Sequence, residues 1–214
     1  IAKRERRERK QTRKLRNNAP KKQVLDLPAE EKYTLPTEFS EQVLDELKHL
    51  PTFISNEEIM RRRDMRDVLT FTIDPEDAKD FDDAISFKIL DTGNYQIGIH
   101  IADVTHYVHE GSAVDEEAFQ RGTSIYLVDR VIPMLPERLC NELCSLRPNE
   151  DKLCMSVIVE MNQQAKVIRH KICRTVIRSN YRLTYQQAQE ILGNRKGESE
   201  NSKVTAESGK LAEA

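Results

Sequence analysis

Two alternating apolar segments, separated by a tight-turn sequence, constrain the fold of this chain more than any other feature. Residues 84–90 and 95–101 carry apolar side chains at every second position, namely Ile85, Phe87 and Ile89 in the first segment and Tyr95, Ile97, Ile99 and Ile101 in the second. A period of two places such side chains on one face of a strand. The intervening residues 91–94, Asp-Thr-Gly-Asn, are of the types that form hairpin turns. The pattern therefore predicts an antiparallel β-hairpin.

Other segments extend this hairpin into a larger mixed fold. Strand patterns occur at residues 68–73, 124–132, 155–159 and 166–178, and helical spacing of apolar residues occurs over 38–50. Sequences typical of helix N-termini open three further helices: Ser55 with Glu58 before a short helix that includes Met60, Arg61, Arg62 and Arg63, Ser112 before a helix that ends near Gly122, and Thr184 with Gln187 before a helix that ends at Leu192. We interpret the three arginines as a solvated helix face, with phosphate contact as the alternative. The sequence predicts an α+β fold with a mixed, mainly antiparallel sheet and flanking helices.

The two ends of the chain differ in composition from its middle. Residues 1–22 contain eleven Lys or Arg and two Glu, a net charge of +9, which leaves −11 for the remainder of a chain whose net charge is −2. We predict a disordered basic arm at 1–35, a helical linker at 36–67, a folded domain at 68–192 and a disordered polar tail at 193–214. The basic arm suits a polyanionic partner, but a merely solvated arm explains it equally well.

Neither a membrane span nor a secretory signal is predicted. No run approaches the roughly 18 apolar residues that a spanning helix needs, and the N-terminus lacks the apolar core of a signal sequence. The four cysteines, which are Cys140, Cys144, Cys154 and Cys173, form no Cys-x-x-Cys pair. We therefore expect reduced thiols without zinc and a cytoplasmic protein.

An acidic segment lies between two of the predicted strands. Within ten residues it contains five aspartates and one glutamate: Asp74, Glu76, Asp77, Asp80, Asp82 and Asp83. Crowded carboxylates repel one another, and only Lys79 is locally available to offset them. A divalent cation such as Mg²⁺, which prefers oxygen ligands, would compensate this charge, and two such ions can stabilise both oxygens in phosphodiester cleavage.

Two other interpretations of the acidic segment are open from spacing alone. One is an exposed acidic loop without a ligand, and the other is a calcium site. An EF-hand does not fit this segment, because the sixth position of its loop needs Gly. Ile85 or Lys79 stands there for loops that begin at Asp80 or Asp74.

Several motifs in order resemble the ribonuclease II and ribonuclease R family. They are residues 63–67 (Arg-Asp-Met-Arg-Asp), the aspartate segment 72–84, residues 98–104 (Gly-Ile-His-Ile-Ala-Asp-Val), residues 131–136 with 143–146 (Val-Ile-Pro-Met-Leu-Pro and Leu-Cys-Ser-Leu), and residues 183–185 (Leu-Thr-Tyr) with Ala188. The resemblance covers roughly residues 38–192. It assigns 68–192 to the N-terminal part of the family's RNB catalytic domain.

The resemblance implies a processive, magnesium-dependent 3′-to-5′ exoribonuclease that hydrolyses single-stranded RNA to nucleoside monophosphates, with neither DNA as main substrate nor a membrane involved. The four aspartates that match the family's motif, called the motif aspartates below, would bind or position the metal; they are Asp74, Asp80, Asp82 and Asp83. Of these, Asp82 is expected to matter most for rate. Tyr126 matches a tyrosine that lies against the 3′-terminal nucleotides, although its strand pattern alone favours a core residue. With a metal-activated water no histidine base is required, so we predict structural or surface roles for His100, His106 and His109.

The chain also departs from the family's pattern. It has no sequence resembling the cold-shock modules, the S1 module or the proline- and arginine-rich second half of the catalytic domain, which supplies an arginine near the scissile phosphate. A truncated RNA-binding fragment without turnover is therefore the second hypothesis, and a calcium-stabilised structural domain is the third.

Overall fold

The computed structural model describes residues 35–194. The predicted arm at 1–35 and tail at 193–214 lie almost wholly outside this range. The helices are α1 (Glu41–His49), α2 (Asn56–Met60), α3 (Ala113–Arg121) and α4 (Tyr185–Asn194), with a 3-10 turn at Val104–His106 and a π-helical turn at Arg138–Leu143. The strands are β1 (Arg63–Asp64), β2 (Leu69–Asp74), β3 (Asp83–Ile89), β4 (Tyr95–Ala102), β5 (Ile125–Tyr126), β6 (Val131–Ile132), β7 (Asp151–Met161), β8 (Val167–Arg178) and β9 (Tyr181–Thr184).

Within residues 35–194, seven strands form one sheet in the order β1-β8-β7-β4-β3-β2-β9. The inner pairs are antiparallel, whereas the two outermost strands, β1 and β9, run parallel to their neighbours. The predicted hairpin is β3–β4, in which Ile85 pairs with Ile99 and Gly93 adopts a φ of +77° in the turn. The predicted α+β fold with a mainly antiparallel sheet is therefore confirmed.

The strand predictions differ from the structure in their ends and in two short elements. The segment 124–132 is not one strand, because β5 and β6 pair with each other as a separate two-stranded sheet. The segment 155–159 is the middle of the longer β7. The predicted linker 36–67 contains α1 and α2 but also contributes β1 to the main sheet.

The helix caps follow the sequence. The hydroxyls of Ser55 and Ser112 accept hydrogen bonds from the amides of Glu58 and Asp115, and Gly122 ends α3 with a φ of +71°. The interpretation of the arginines after Met60 as a solvated helix face is wrong for Arg62. Helix α2 ends before it, and its side chain is buried against Glu58 and Asp103.

The hydrophobic core lies on one side of the main sheet. Helices α1 and α3, together with the π-helical turn, pack on strands β3, β4, β7 and β8 through buried side chains that include Val43, Leu47, Val114, Leu139, Ala84, Ala102, Cys154 and Ile177. The opposite face carries the alternating isoleucines of β3 and β4, several of which are exposed. The period-two pattern thus identifies the residues that share a face, and that face points away from the core.

A polar network is built into the buried side of the sheet. His100 is fully buried, and its Nδ1 and Nε2 lie 2.7 Å and 2.8 Å from the hydroxyls of Ser156 and Ser86. Gly98 makes room for this ring, because a Cβ at position 98 would lie 2.5 Å from His100 Nε2. Burial lowers the pKa of His100 to about 4. The imidazole is therefore neutral at pH 7 and structural, as predicted.

In the described range, no helix has the length and apolar character needed to cross a membrane. All four cysteines are free thiols.

Candidate active site

The acidic segment is a loop whose two ends belong to strands of the main sheet. It leaves β2 after Asp74, which pairs with Thr184 of β9, and it enters β3 at Asp83, which pairs with Ile101 of β4. The predicted position of the aspartates, between two strands, is confirmed by this geometry.

Ser145 and Leu146 hold the acidic loop in place through hydrogen bonds to its backbone. The hydroxyl of Ser145 accepts a hydrogen bond of 3.1 Å from the amide of Phe81 and donates one of 2.8 Å to the carbonyl of Lys79. The amide of Leu146 donates to the carbonyl of Phe81 at 2.8 Å. Phe81 itself is buried, so the loop is anchored in the core between the half-buried Asp80 and the exposed Asp82.

The motif aspartates interact electrostatically with one another. Asp74 is buried, and its Oδ2 has no hydrogen-bond partner. Burial raises the pKa of Asp74, and repulsion from Asp83 and Asp80 adds to the rise. The pKa of Asp82 is also raised, first because surrounding protein atoms displace water from its carboxylate and then because the other three motif aspartates repel it. The structure therefore brings all four into one region of negative potential.

This donor set fits a hard divalent cation in its chemistry. Carboxylate oxygens are the ligands that Mg²⁺ prefers, and Asp74 Oδ2 is a buried acceptor that lacks a donor. Among the described residues, however, no three His, Cys, Asp or Glu side chains converge closely enough to hold a metal ion by themselves. Mg²⁺ usually keeps several waters and uses one or two carboxylates together with substrate phosphate, which is compatible with this more open arrangement.

Tyr126 lies beside the acidic loop. Its hydroxyl donates a hydrogen bond of 3.3 Å to Asp80 Oδ2, and the residue is 69% exposed on β5. The strand pattern alone would have placed this ring in the core. The structure instead presents an accessible aromatic face next to the carboxylates.

The sequence reasoning missed Arg182, which comes directly before the Leu183-Thr184-Tyr185 motif. Its Nη2 donates to the carbonyl oxygens of Pro75 and Glu76 at 2.5 Å and 2.6 Å. It also lies near the ring of Phe81, with 5.4 Å between Cζ and the ring centroid. No local pattern identifies this contact, because more than 100 residues separate its partners.

Comparison with known proteins agrees with these motifs. The RNB domain family matches residues 62–214. The chain belongs to the RNB-domain family. Ribonuclease R of Thermotoga maritima is 51% identical over 157 residues, which cover 73% of this chain and 22% of that protein. The resemblance to the ribonuclease II and ribonuclease R family is thereby confirmed, and the chain spans about a fifth of the length of the curated relatives it matches.

Solved RNB structures have the same fold. RNase R from Mycoplasma genitalium in complex with double-stranded RNA superimposes with a TM-score of 0.72 at 31% identity, covering 84% of this chain and 31% of that one. Yeast Ssd1, a pseudonuclease, superimposes with a TM-score of 0.61 at 23% identity, covering 73% of this chain and 19% of its own. At that identity the likeness to Ssd1 concerns the fold alone, so activity has to be argued from the residues of the site.

Proposed function

We propose that this chain is the part of a magnesium-dependent 3′-to-5′ exoribonuclease that carries its metal-binding aspartates, and that the enzyme hydrolyses single-stranded RNA to nucleoside monophosphates. The observation that carries this proposal is the presence of all four motif aspartates on the segment that joins β2 to β3, in a chain of the RNB-domain family. RNA, rather than DNA, is proposed as the main substrate because two structures of Mycoplasma genitalium RNase R contain RNA, one double-stranded and one single-stranded and ribose-methylated.

Each site residue has a proposed role. The motif aspartates hold Mg²⁺ directly or through water, with Asp82 the most important for rate. When bound, the metal would neutralise phosphate charge and polarise the attacking water. The exposed ring of Tyr126 would stack on a base near the 3′ end, an interaction worth about 1–3 kcal/mol that does not depend on sequence. A cytoplasmic location is proposed as well and is supported by the four free thiols.

The second candidate function is that of an RNA-binding fragment that does not hydrolyse RNA. The observation that favours it is the span of only about a fifth of the relatives' length. The family's charge-stabilising arginine belongs to a part not matched by any segment here, and loss of such a group lowers rate by orders of magnitude.

One assay separates these candidates. A 5′-labelled single-stranded RNA is incubated with Mg²⁺ or with EDTA and with either of two proteins, the chain itself or a chimera. The chimera is Thermotoga maritima ribonuclease R in which the matching segment is replaced by residues 38–194 of this chain. We expect the chimera to shorten the RNA from its 3′ end only when Mg²⁺ is present.

The result for the chain alone then shows whether it hydrolyses RNA without the remainder of the enzyme. Shortening would mean that the described site suffices, whereas binding without shortening would make this chain a fragment that needs the remainder of the enzyme. A chimera that binds RNA but is inert, while unmodified Thermotoga ribonuclease R is active, would contradict the proposed catalytic function.

A further inference from the structure

One face of the main sheet is apolar and open to solvent. Six large side chains on it are between 39% and 64% exposed: Ile85, Ile89, Ile99, Ile101, Met155 and Ile172. The register joins them across four adjacent strands, because Ile85 pairs with Ile99, Ile99 with Val157, and Val157 with Ile172. We call this surface of β3, β4, β7 and β8 the open face.

The covered face of the sheet combines apolar core residues with several polar side chains, and the open face is unusually apolar. An antiparallel sheet with one covered face usually places apolar residues inside and polar residues outside. Here the covered face includes Ser86, His100 and Ser156, whereas the open face carries the isoleucines. Large contiguous exposed apolar patches are rare in monomers and mark surfaces that contact another protein, a membrane or a ligand.

The two terminal segments of the chain outside 35–194 are poor candidates for covering this face. Residues 195–214 contain only two large apolar residues, Val204 and Leu211, among many charged ones, and residues 1–22 are strongly basic. Residues 23–34 contain fewer large apolar side chains than the six exposed ones of the open face, namely Val24, Leu25, Leu27 and Tyr33. RNA is also a poor candidate, because its binding depends on cationic contacts to phosphates. On this side of β8, Arg174 is the permanently charged residue beside Ile172, and His170 lies on the other side of Ile172.

The longer proteins of the RNB-domain family contain additional polypeptide that is a candidate for covering the open face. The segment that matches this chain is 22% of Thermotoga maritima ribonuclease R, so more than three quarters of that protein lies outside it. We propose that the open face docks an apolar polypeptide surface from that remaining part of the RNB-family chain. The proposal rests on family membership and not on catalysis by this chain.

Methionine oxidation tests this docking. Met155 lies on the open face and is 40% exposed, whereas Met60 of α2 lies elsewhere and is 77% exposed. Hydrogen peroxide is added to the full chain and to the chimera, and sulfoxide at each methionine is followed by peptide mass spectrometry. We expect Met155 to oxidise at least about tenfold more slowly in the chimera than in the chain, with Met60 nearly unchanged.

Three results would overturn the proposal. The first is equal oxidation of Met155 in both proteins, and the second is equal slowing of both methionines. The third is protection of Met155 in the chain alone that disappears on dilution, because the occupant would then be a second copy of this chain. Ile99→Glu gives an independent readout: it should leave the melting temperature of the chain almost unchanged but lower that of the chimera.

A separate observation concerns Arg182 and rests on the proposed metal site. Arg182 stands on the edge strand β9, where it pairs with Thr72 of β2. It donates to the carbonyls of Pro75 and Glu76, the two residues that follow Asp74, and it approaches the ring of Phe81 near the other end of the loop. One guanidinium thus contacts both ends of a loop whose carboxylates repel one another.

We infer that Arg182 is a positioning residue that holds the acidic loop in its metal-binding conformation. Its planar guanidinium can donate to the two carbonyls while facing the ring, a combination that a lysine ammonium does not reproduce. Some residues do not touch the metal but orient the side chains that bind it. Removing such a residue commonly weakens metal affinity by about 10–100-fold.

Calorimetric titration of the full chain with Mg²⁺ tests this role without an activity assay. We expect Arg182→Gln to weaken Mg²⁺ binding about tenfold or more, and Arg182→Lys to weaken it less because the charge is kept. Arg178→Gln is the control, because Arg178 pairs with Asp151 on β7 and makes no contact with the acidic loop. Titrations are made well below the melting temperature of each variant.

The outcomes separate the metal site from the role of Arg182. If the unmodified chain binds no Mg²⁺, the proposed metal site is wrong. If the unmodified chain binds Mg²⁺ and Arg182→Gln binds it equally well, only the inference about Arg182 is overturned. Should Arg182→Gln fail to fold, an affinity of Arg182→Lys equal to that of the unmodified chain would overturn it instead.

Discussion

Asp82→Asn in the chimera should lower RNA hydrolysis by roughly a thousandfold or more while leaving RNA affinity within about twofold. Asparagine keeps the shape of the side chain but removes the charge that would hold the cation. Removal of the Asp82 charge relieves its repulsion with the other three motif aspartates, so the substitution should not destabilise the fold. Single-turnover cleavage of the 5′-labelled RNA gives the rate, and filter binding in EDTA gives the affinity.

Asp77→Asn is the matched control for this prediction. Asp77 is an exposed residue of the same loop but lies outside the family motif, so the same chemical change there should leave the rate nearly unchanged. Equal losses of rate in the two variants would show that general loop charge, rather than the motif, supports hydrolysis. A loss of RNA affinity by Asp82→Asn that parallels its loss of rate would also contradict a role confined to catalysis.

The parts of the fold that sequence predicted are those set by local patterns. The hairpin β3–β4 follows from apolar side chains at every second position and from a turn whose Gly93 adopts a positive φ. The caps at Ser55 and Ser112 follow from hydroxyls placed three residues before an amide that lacks a helical partner. The position of the acidic loop follows because the strands on both sides of it are predictable.

The parts that sequence did not predict depend on contacts between distant segments. Period-two alternation identifies the residues that share a face but contains no information about which face another element covers. Arg182 reaches the acidic loop only because β9 pairs with β2 across more than 100 residues. Likewise, nothing in the run from Arg61 to Arg63 indicates that Arg62 alone turns inward toward a carboxylate 41 residues later in the sequence.

That buried arginine leads to the largest stability effect expected in this chain. The Arg62 side chain has no solvent exposure, and it forms ion pairs with Glu58 at 2.6 Å and Asp103 at 2.7 Å. Burial by itself would raise the pKa of Asp103, but a hydrogen bond from Thr105 and the charge of Arg62 bring it below its ordinary value. Arg62→Ala would leave Asp103 charged and buried, with Arg174 no nearer than 3.9 Å. We expect a loss of about 3–5 kcal/mol in the free energy of unfolding, measured by urea denaturation at pH 7.

Two comparisons test this ion-pair explanation. Lys48→Ala removes a surface ion pair in which Lys48 is 71% and Asp45 66% exposed, so it should cost less than about 1 kcal/mol. The double variant Arg62→Met with Asp103→Leu should regain most of the stability, because no unpaired charge stays buried. A double variant as unstable as Arg62→Ala would mean that lost packing, rather than the uncompensated carboxylate, causes the effect.

The pH dependence of the stability lost in Arg62→Ala tests whether the charged Asp103 carboxylate is its cause. Without Arg62, burial should raise the folded-state pKa of Asp103 above its unfolded value, so folding of the variant would favour the protonated carboxyl. The stability deficit relative to the unmodified chain should therefore shrink as pH falls from 7 toward about 4. His100 also lowers stability in this range, because its folded pKa of about 4 lies below the ordinary 6.5, so the unfolded state gains a proton first as pH falls. This effect occurs in both proteins and cancels from their difference. A deficit that stays constant from pH 7 to 4 would show that Asp103 is not the source of the instability.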